Sequence, residues 1–149
     1  MIYKLSDLCE FVSGFAFKGK DFQNDGENVI KITHINPPYV VIDGCSHVDI
    51  TKYNLKKLEK FRIYPGDYVM AMTGATIGKI GRVIKGRAYI NQRVLKFVPN
   101  EKMVNKDYLF YCLTSDDFLK YIFNHIFILN LNMSFNIISI TIFEDFSRG

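Results

Sequence analysis

Cysteine is scarce in this sequence. The chain has three cysteines, Cys9, Cys45 and Cys112, which lie far apart and form no CxxC pair. An odd number of cysteines without paired spacing argues against a disulfide framework and against a zinc knuckle. We therefore expect reduced, mostly buried thiols, as is usual for a cytoplasmic protein.

The residue patterns that usually carry catalysis are also lacking. The three histidines, His34, His47 and His125, form neither an HxxxH nor an HExxH pattern, so no metal site is predicted. The acidic residues do not form a pair that suits acid–base catalysis. Asp67 follows Pro-Gly in a turn, where a structural role is expected.

No uninterrupted apolar run is long enough to cross a membrane. Residues 121–143 are rich in isoleucine and phenylalanine, but asparagine and histidine recur through them, at Asn124, His125, Asn130, Asn132 and Asn136. A spanning helix usually needs about 18 or more apolar residues in succession. We predict a buried helix end, a loop and a strand here, with no membrane partner. The start of the chain does not have the charged and then apolar pattern of a signal peptide.

The length and composition are those of a folded domain. The chain has 149 residues, of which 48% are hydrophobic, and we expect residues 1–149 to form one domain. The formal net charge of +4 gives a mildly basic protein. This charge permits contact with nucleic acid but does not require it.

Local periodicity predicts an α+β fold, with a twisted, largely antiparallel β-sheet and a few short flanking helices. Helices are predicted at residues 4–13, 51–61 and from 105, with a new helix cap at 114–117. Strands are predicted at residues 27–35, 39–42, 68–73 and 136–143. Residues 79–84 and 87–98 are predicted to pair as a hairpin around Lys85-Gly86.

A basic stretch of strands and turns, residues 64–99, organises the chain. It contains six cations and almost no acids: Lys79, Arg82, Lys85, Arg87, Arg93 and Lys96. Strands form a rigid support, glycines allow close approach of the backbone, and cations attract phosphate. The stretch therefore predicts a DNA-binding platform.

Polar side chains interrupt the last strand of this stretch at Asn91, Gln92 and Arg93. Asparagine and glutamine can hydrogen-bond to adenine edges, and arginine can read guanine. Alternatively, these residues hold a bulge or a loop through hydrogen bonds. His34, at the end of a predicted strand, is either a DNA contact or an ordinary histidine.

Two short motifs resemble enzyme signatures. Asn36-Pro-Pro-Tyr39 matches the catalytic tetrapeptide of adenine-N6 methyltransferases, but no glycine-rich turn for S-adenosylmethionine precedes residue 36. We interpret it as a strand-ending turn and keep a methyltransferase fragment as the alternative. Residues 74–79 resemble a phosphate-binding loop, with three residues between the glycines instead of four and Ile80 in place of Ser or Thr.

The ordered set of motifs resembles the target recognition domain of the DNA specificity (S) subunit of type I restriction–modification systems. The resemblance covers residues 2 to about 143. It rests on LSDL at residues 5–8, SGFAFK at 13–18, DF at 21–22, VIKITHIN at 29–36, PGDYV at 65–69, TG at 73–74, IGK at 77–79, NQ at 91–92, YLFY at 108–111 and LTS at 113–115.

The resemblance implies sequence-specific recognition of one half of a bipartite double-stranded DNA site. The chain would be a non-catalytic component that holds no cofactor, while the methyltransferase (M) and restriction (R) subunits would supply the chemistry with S-adenosylmethionine and ATP. The expected phosphate contacts are Lys18, Lys20, Lys79, Arg82, Lys85 and Arg87. The expected base contacts are Thr73, Thr76, Asn91, Gln92 and Arg93, together with His34.

The chain departs from the family pattern in two places. The glycine-rich turn expected near residues 130–134 is only partly recognisable in LNLNMS. A whole specificity subunit would also contain a spacer helix and a second recognition domain, which this sequence lacks. The resemblance therefore implies a truncated or partial specificity subunit.

Overall fold

The computed structural model describes residues 2–121 and 142–143. The chain divides into two compact units. One unit contains residues 12–97, and the other contains residues 1–11 and 98–149. The mixed α+β class predicted from the sequence is confirmed, with mostly antiparallel strands and few short helices.

Two sheets account for most of the strands. The six-stranded sheet has the order β2 (Cys9–Ser13), β12 (Val94–Pro99), β9 (Tyr68–Ala71), β10 (Ile80–Val83), β6 (Tyr39–Val40) and β5 (Ile35–Asn36). The five-stranded sheet has the order β3 (Phe22–Gln23), β7 (Ser46–Val48), β4 (Glu27–Ile30), β11 (Ala88–Ile90) and β8 (Arg62–Ile63). Antiparallel pairing predominates, whereas β6–β10 and β4–β11 are parallel. A separate antiparallel pair joins β1 (Ile2–Tyr3) to β13 (Ile142–Phe143).

One apolar cluster fills the space between the two sheets. Val40, Val69 and Val83 of the six-stranded sheet belong to the same buried cluster as Ile63 and Ile90 of the five-stranded sheet. A second cluster, which includes Val29, Val48 and Tyr89, covers the other face of the five-stranded sheet. Strands such as β11 are therefore buried on both faces, which explains their continuous apolar sequence.

The helices of the described residues are short. Three of them are α1 (Leu5–Leu8), α2 (Leu55–Leu58) and α3 (Lys106–Leu113), and a further helical stretch covers residues 116–121. Single 3-10 turns occur at Gly19–Asp21, Ile32–His34, Ile50–Lys52, Glu59–Phe61 and Gly74–Thr76. Asn105 caps α3, because its Oδ1 accepts from Asp107 N at 2.9 Å and from Tyr108 N at 3.0 Å. The predicted cap at 114–117 is confirmed, since Ser115 Oγ accepts from Phe118 N at 3.3 Å and residues 116–121 are helical.

Several predicted elements are shorter than the periodicity indicated, among them the strands at 39–42 and 68–73, which end at Val40 and Ala71. The predicted helix at residues 4–13 ends at Leu8, and Cys9–Ser13 is a strand. The predicted helix at 51–61 breaks into two 3-10 turns around α2, because Asn54 starts a new helix by accepting from Lys57 N. The predicted strand at 27–35 ends at Ile30, where a 3-10 turn follows.

The predicted hairpin around Lys85-Gly86 is wrong. β10 pairs with β9 and β6 in one sheet, whereas β11 pairs with β4 and β8 in the other. The chain changes sheets at Gly86, whose φ of 80° suits a residue without a side chain. Val83 of β10 packs in the same buried cluster as Ala88 and Ile90 of β11, so the two strands cover apolar faces of opposing sheets, which pairing edge to edge in one hairpin would not achieve.

Other predictions agree with the described residues. β9 is buried along its whole length, as its continuous apolar sequence predicted. Asp67 has the expected structural role, because its Oδ2 accepts from Tyr64 N at 2.8 Å within the turn.

Cys9, Cys45 and Cys112 are free, and burial raises the pKa of the Cys9 thiol to about 12. Within residues 2–121 and 142–143, no helix is long and apolar enough to span a membrane. Most of the predicted strand at 136–143 and the whole LNLNMS turn lie outside the described residues.

A buried carboxylate ties together two loops beside the second apolar cluster. Asp21 is only 4% exposed, and its carboxylate accepts from Tyr53 Oη at 2.5 Å and from Lys52 Nζ at 3.4 Å. Tyr53 Oη in turn accepts from Lys18 N at 3.1 Å. These bonds connect the loop at residues 18–21 to the 3-10 turn at Ile50–Lys52.

This network makes the stability of the protein depend on pH. The hydrogen bond from Tyr53 and the neighbouring Lys52 hold the pKa of Asp21 below its usual value of 3.8. A carboxyl with a lowered pKa in the folded state stabilises the protein above its unfolded pKa, and the contribution is lost as the pH falls through the folded pKa. We expect Asp21→Asn to unfold at a lower urea concentration than the wild type at pH 7. The difference between their urea midpoints should disappear as the pH falls below 3.8. A gap that is the same at both pH values would show that the charge of Asp21 does not stabilise the fold.

Candidate nucleic-acid interface

Several strands of the two sheets end or begin at the same edge. β9 ends beside the start of β12 and of β10, because Ala71 pairs with Val94 and Met70 pairs with Ile80. The β9–β10 loop, residues 72–79, and the β11–β12 turn, residues 91–93, therefore lie next to each other. Met72 N donates to Arg93 O at 3.0 Å and fixes this contact. We call residues 72–79 and 91–93 together the strand-end surface.

The β11–β12 turn is held by its own asparagine. Asn91 Oδ1 accepts from Arg93 N at 3.3 Å, and Asn91 O accepts from Val94 N at 2.9 Å. Gln92 and Arg93 point to solvent as exposed residues. Asn91 therefore holds a loop through hydrogen bonds, as one of the two alternatives predicted. Gln92 and Arg93 lie on that loop with their side chains exposed to solvent.

The β9–β10 loop has a similar division between structural and exposed groups. Thr76 Oγ1 donates to Thr73 O at 3.1 Å. Thr73 Oγ1 is buried and has no hydrogen-bond partner among the described residues. Lys79 is exposed and forms no ion pair within the part of the chain that the structure describes. The loop leads into strand β10 rather than a helix, so the resemblance of residues 74–79 to a nucleotide-binding P-loop is superficial.

The predicted contacts Lys18 and Lys20 follow a segment that is attached to the strand-end surface. Gly14 N donates to Val94 O at 2.9 Å, and Phe15 N donates to Ile90 O at 2.9 Å. Both lysines are exposed, Lys20 within the 3-10 turn Gly19–Asp21 and Lys18 just before it. The Asp21–Tyr53 network holds the backbone of this loop through Lys18 N.

Three other predicted contacts lie elsewhere. Lys85 follows the far end of β10 and pairs with Asp43 at 3.6 Å, and Arg87 precedes the start of β11 at that same far edge. Six residues of extended chain separate Lys85 from Lys79, a span of about 20 Å. Arg82 lies within β10, half-buried between Tyr68 and Tyr39 of the neighbouring strands. The structure therefore divides the predicted platform between two edges of the sheet.

His34 has a structural role in the described residues. Its Nδ1 accepts from Lys31 N at 3.0 Å and closes the 3-10 turn after β4. Burial lowers the pKa of His34 below its usual value, which favours the neutral ring that can accept this bond. His34 O accepts from Val41 N at 2.9 Å, which places the His34 backbone beside the end of β6, next to the end of β10.

Lys31 is a basic residue at this edge that sequence reasoning missed. It was predicted to lie inside a strand, but β4 ends at Ile30 and Lys31 is exposed. The parallel pairing of β4 with β11 places it directly beside Asn91. The sequence alone does not show where a predicted strand that contains a lysine ends. The one local signal was His34, whose ring accepts from Lys31 N and closes the turn that ends the strand.

Asn36-Pro-Pro-Tyr39 is the turn of a tight hairpin. Asn36 ends β5, Tyr39 begins β6, and the two residues pair directly. The interpretation as a strand-ending turn is confirmed. No group of three or more potential metal ligands occurs among residues 2–121 and 142–143.

Comparisons with known proteins agree on one family. The family model for the type I restriction modification DNA specificity domain matches residues 1–146. The type I restriction enzyme MjaVIII specificity subunit of Methanocaldococcus jannaschii is 29% identical over 124 residues, which cover 80% of this chain and 29% of that protein. The chain thus spans less than a third of the length of this curated relative.

Solved structures show the same fold at low sequence identity. The HsdS subunit from Thermoanaerobacter tengcongensis matches with a TM-score of 0.57 at 11% identity, over 90% of this chain and 40% of that one. The S subunit of a type I restriction-modification system from M. genitalium matches with a TM-score of 0.53 at 11% identity, over 95% of this chain and 33% of that one. A chain in a structure of type I restriction-modification complex assembly matches with a TM-score of 0.58 at 12% identity, over 76% of this chain and 26% of that one. These matches do not favour the methyltransferase alternative, and the chain belongs to the type I restriction modification DNA specificity domain family.

Proposed function

We propose that this chain binds double-stranded DNA sequence-specifically and recognises one half of a bipartite site for a type I restriction–modification complex. The observation that carries the proposal is the strand-end surface, where Lys79, Gln92 and Arg93 are exposed together on a rigid double sheet. The membership of the chain in a DNA specificity family supports the same conclusion.

The exposed groups suit different parts of a duplex. Lys79 carries a mobile positive charge and would hold a phosphate, which fixes register without reading sequence. Arg93 and Gln92 would reach base edges, since arginine can read guanine and glutamine can read adenine. Both lie on a short turn that Asn91 holds from within, so little ordering is needed on binding.

The remaining predicted contacts have unequal support. Lys18 and Lys20 lie on a loop attached to the strand-end surface and would add phosphate contacts. Thr73 and Thr76 would support the loop, because their hydroxyls point into it. Arg82, Lys85 and Arg87 stay predictions, and their positions away from the strand-end surface make them useful comparisons.

The chain is proposed to contribute recognition alone. Methylation and cleavage would belong to the M and R subunits with which it would assemble. The support is the family, which is defined by DNA specificity, together with the absence of a methyltransferase fold around Asn36 to Tyr39 in the described residues.

Selection from duplexes with a randomised centre tests the proposed function. The purified chain is expected to enrich a short sequence, and fluorescence anisotropy should show tighter binding to that duplex than to a scrambled one. With about two to four phosphate contacts, log K should fall against log salt with a slope of about −2 to −4. Absence of duplex binding even at about 50 mM salt, where electrostatic contacts are strong, would contradict the proposal.

A further inference from the structure

A polar groove lies beside the strand-end surface, at the ends of β3, β4 and β7. It has a volume of about 430 Å³, and Gln23, Asn24, Lys31 and His47 are among its lining residues. No lining residue is acidic. A groove lined by amide groups and one ammonium group suits an anion that also accepts hydrogen bonds.

The ammonium group of Lys31 is held in place within this groove. Its Nζ lies 4.9 Å from the centre of the Phe22 ring, within range of a cation–π contact. The Lys31 backbone is fixed by its hydrogen bond to His34 Nδ1. Lys31 forms no ion pair in the part of the chain that the structure describes, so its charge is not compensated by a carboxylate there.

The groove continues the strand-end surface across the five-stranded sheet. The order β11, β4, β7, β3 puts three strand spacings between the Asn91 turn and Gln23, which is about 14 Å at roughly 4.8 Å per spacing. The major groove of B-DNA is about 12 Å wide. The Lys31 backbone lies beside Asn91, but its ammonium reaches the Phe22 ring of β3 at the far side of these strands. One duplex could therefore contact Arg93 with its base edges and the Lys31 ammonium with the flanking backbone.

We propose that this groove binds a phosphodiester of the same duplex, with the phosphate on the Lys31 ammonium and the Gln23 and Asn24 amides donating to phosphate or sugar oxygens. This inference rests on the proposed function and extends it. The contact would set the register of the duplex on the strand-end surface and would carry no sequence information.

Lys31→Ala tests the proposal, with Lys85→Ala as the control that removes the same charge from an exposed lysine that does not line the groove and that pairs with Asp43. Salt-dependent anisotropy on the selected duplex and on a scrambled duplex should show that Lys31→Ala weakens both about fivefold to tenfold at 0.1 M salt. The salt slope should fall by about 0.9, the value for one phosphate contact. Lys31→Arg should restore most of the affinity and the slope, because the charge is retained.

The outcomes separate the two proposals. If the wild type binds duplex DNA but Lys31→Ala behaves like Lys85→Ala, the groove is not a DNA contact and the proposed function stands. If Lys31→Ala weakens only the selected duplex, the groove reads bases and the phosphate assignment is wrong. If the wild type itself binds no duplex DNA, both proposals fail. Thermal unfolding of each variant should match the wild type, since Lys31 and Lys85 are exposed.

Discussion

Replacing Lys79 and Arg93 together with alanine is expected to weaken duplex binding by about 60-fold at 0.1 M salt. The phosphate contact of Lys79 should contribute a slope of about 0.9 in log K against log salt, which is worth about eightfold in affinity between 1 M and 0.1 M salt. The base contact of Arg93, near the lower end of the range of about 1–3 kcal/mol, is worth roughly another eightfold. Arg93 is also expected to contribute sequence preference. Its loss should reduce the difference in affinity between the selected duplex and the scrambled duplex. Anisotropy titrations of both duplexes over a range of salt measure the two effects.

Lys85 and Arg87 provide a control with the same loss of charge. The double variant Lys85→Ala, Arg87→Ala removes two cations from the far edge of the sheet, where Lys85 pairs with Asp43. We expect a change in affinity of less than about threefold from the long-range field alone, since the two edges are separated by more than the screening length of about 10 Å at 0.1 M salt. Equal effects of the two double variants would show that net charge, and not the strand-end surface, drives binding.

Gly14→Ala is expected to lower the free energy of unfolding by about 1–3 kcal/mol, the usual range for an overpacked site. A Cβ atom on Gly14 would collide with the backbone carbonyl of Asn91, and it would also lie 2.5 Å from Ile90 O. The backbone must shift, because neither obstacle is the end of a flexible side chain. Urea denaturation measures the stability.

The collision at Gly14 should also affect recognition. Asn91 holds the turn that presents Gln92 and Arg93, so DNA affinity should fall even at temperatures where Gly14→Ala is folded. Gly19→Ala is the matched control, because a Cβ there would meet no atom within 4 Å. We expect Gly19→Ala to leave stability unchanged or to raise it by a few tenths of a kcal/mol through the unfolded chain. Equal destabilisation by both variants would contradict the close packing of Gly14.

The sequence predicted elements whose signals are local. The fully apolar stretch at β9 and the asparagine before α3 each indicate their element without reference to distant residues. Side-chain type and spacing are sufficient for such assignments because the periodicity of a strand and the cap of a helix are properties of a few neighbouring residues. Residues 87–98 were predicted as one strand containing the polar residues Asn91, Gln92 and Arg93, whereas the structure divides them into β11 and β12 with a turn between.

Which strands pair with each other could not be predicted from such local signals. The turn at Lys85-Gly86 looks like a hairpin, yet it joins β10 and β11 of different sheets. The two strands are equally apolar, and an apolar strand does not specify which neighbour covers it. For this reason the six cations of residues 64–99 were predicted to share one surface, whereas the sheet order separates Lys79 and Arg93 from Lys85 and Arg87.

The most direct test of the account is an NMR titration of the isotopically labelled chain with the selected duplex. We expect the largest amide shift changes at residues 72–79 and 91–93 and at Lys31, with small changes at residues 84–87. Large changes confined to residues 84–87, or spread over both edges without preference, would contradict the assignment of DNA binding to the strand-end surface.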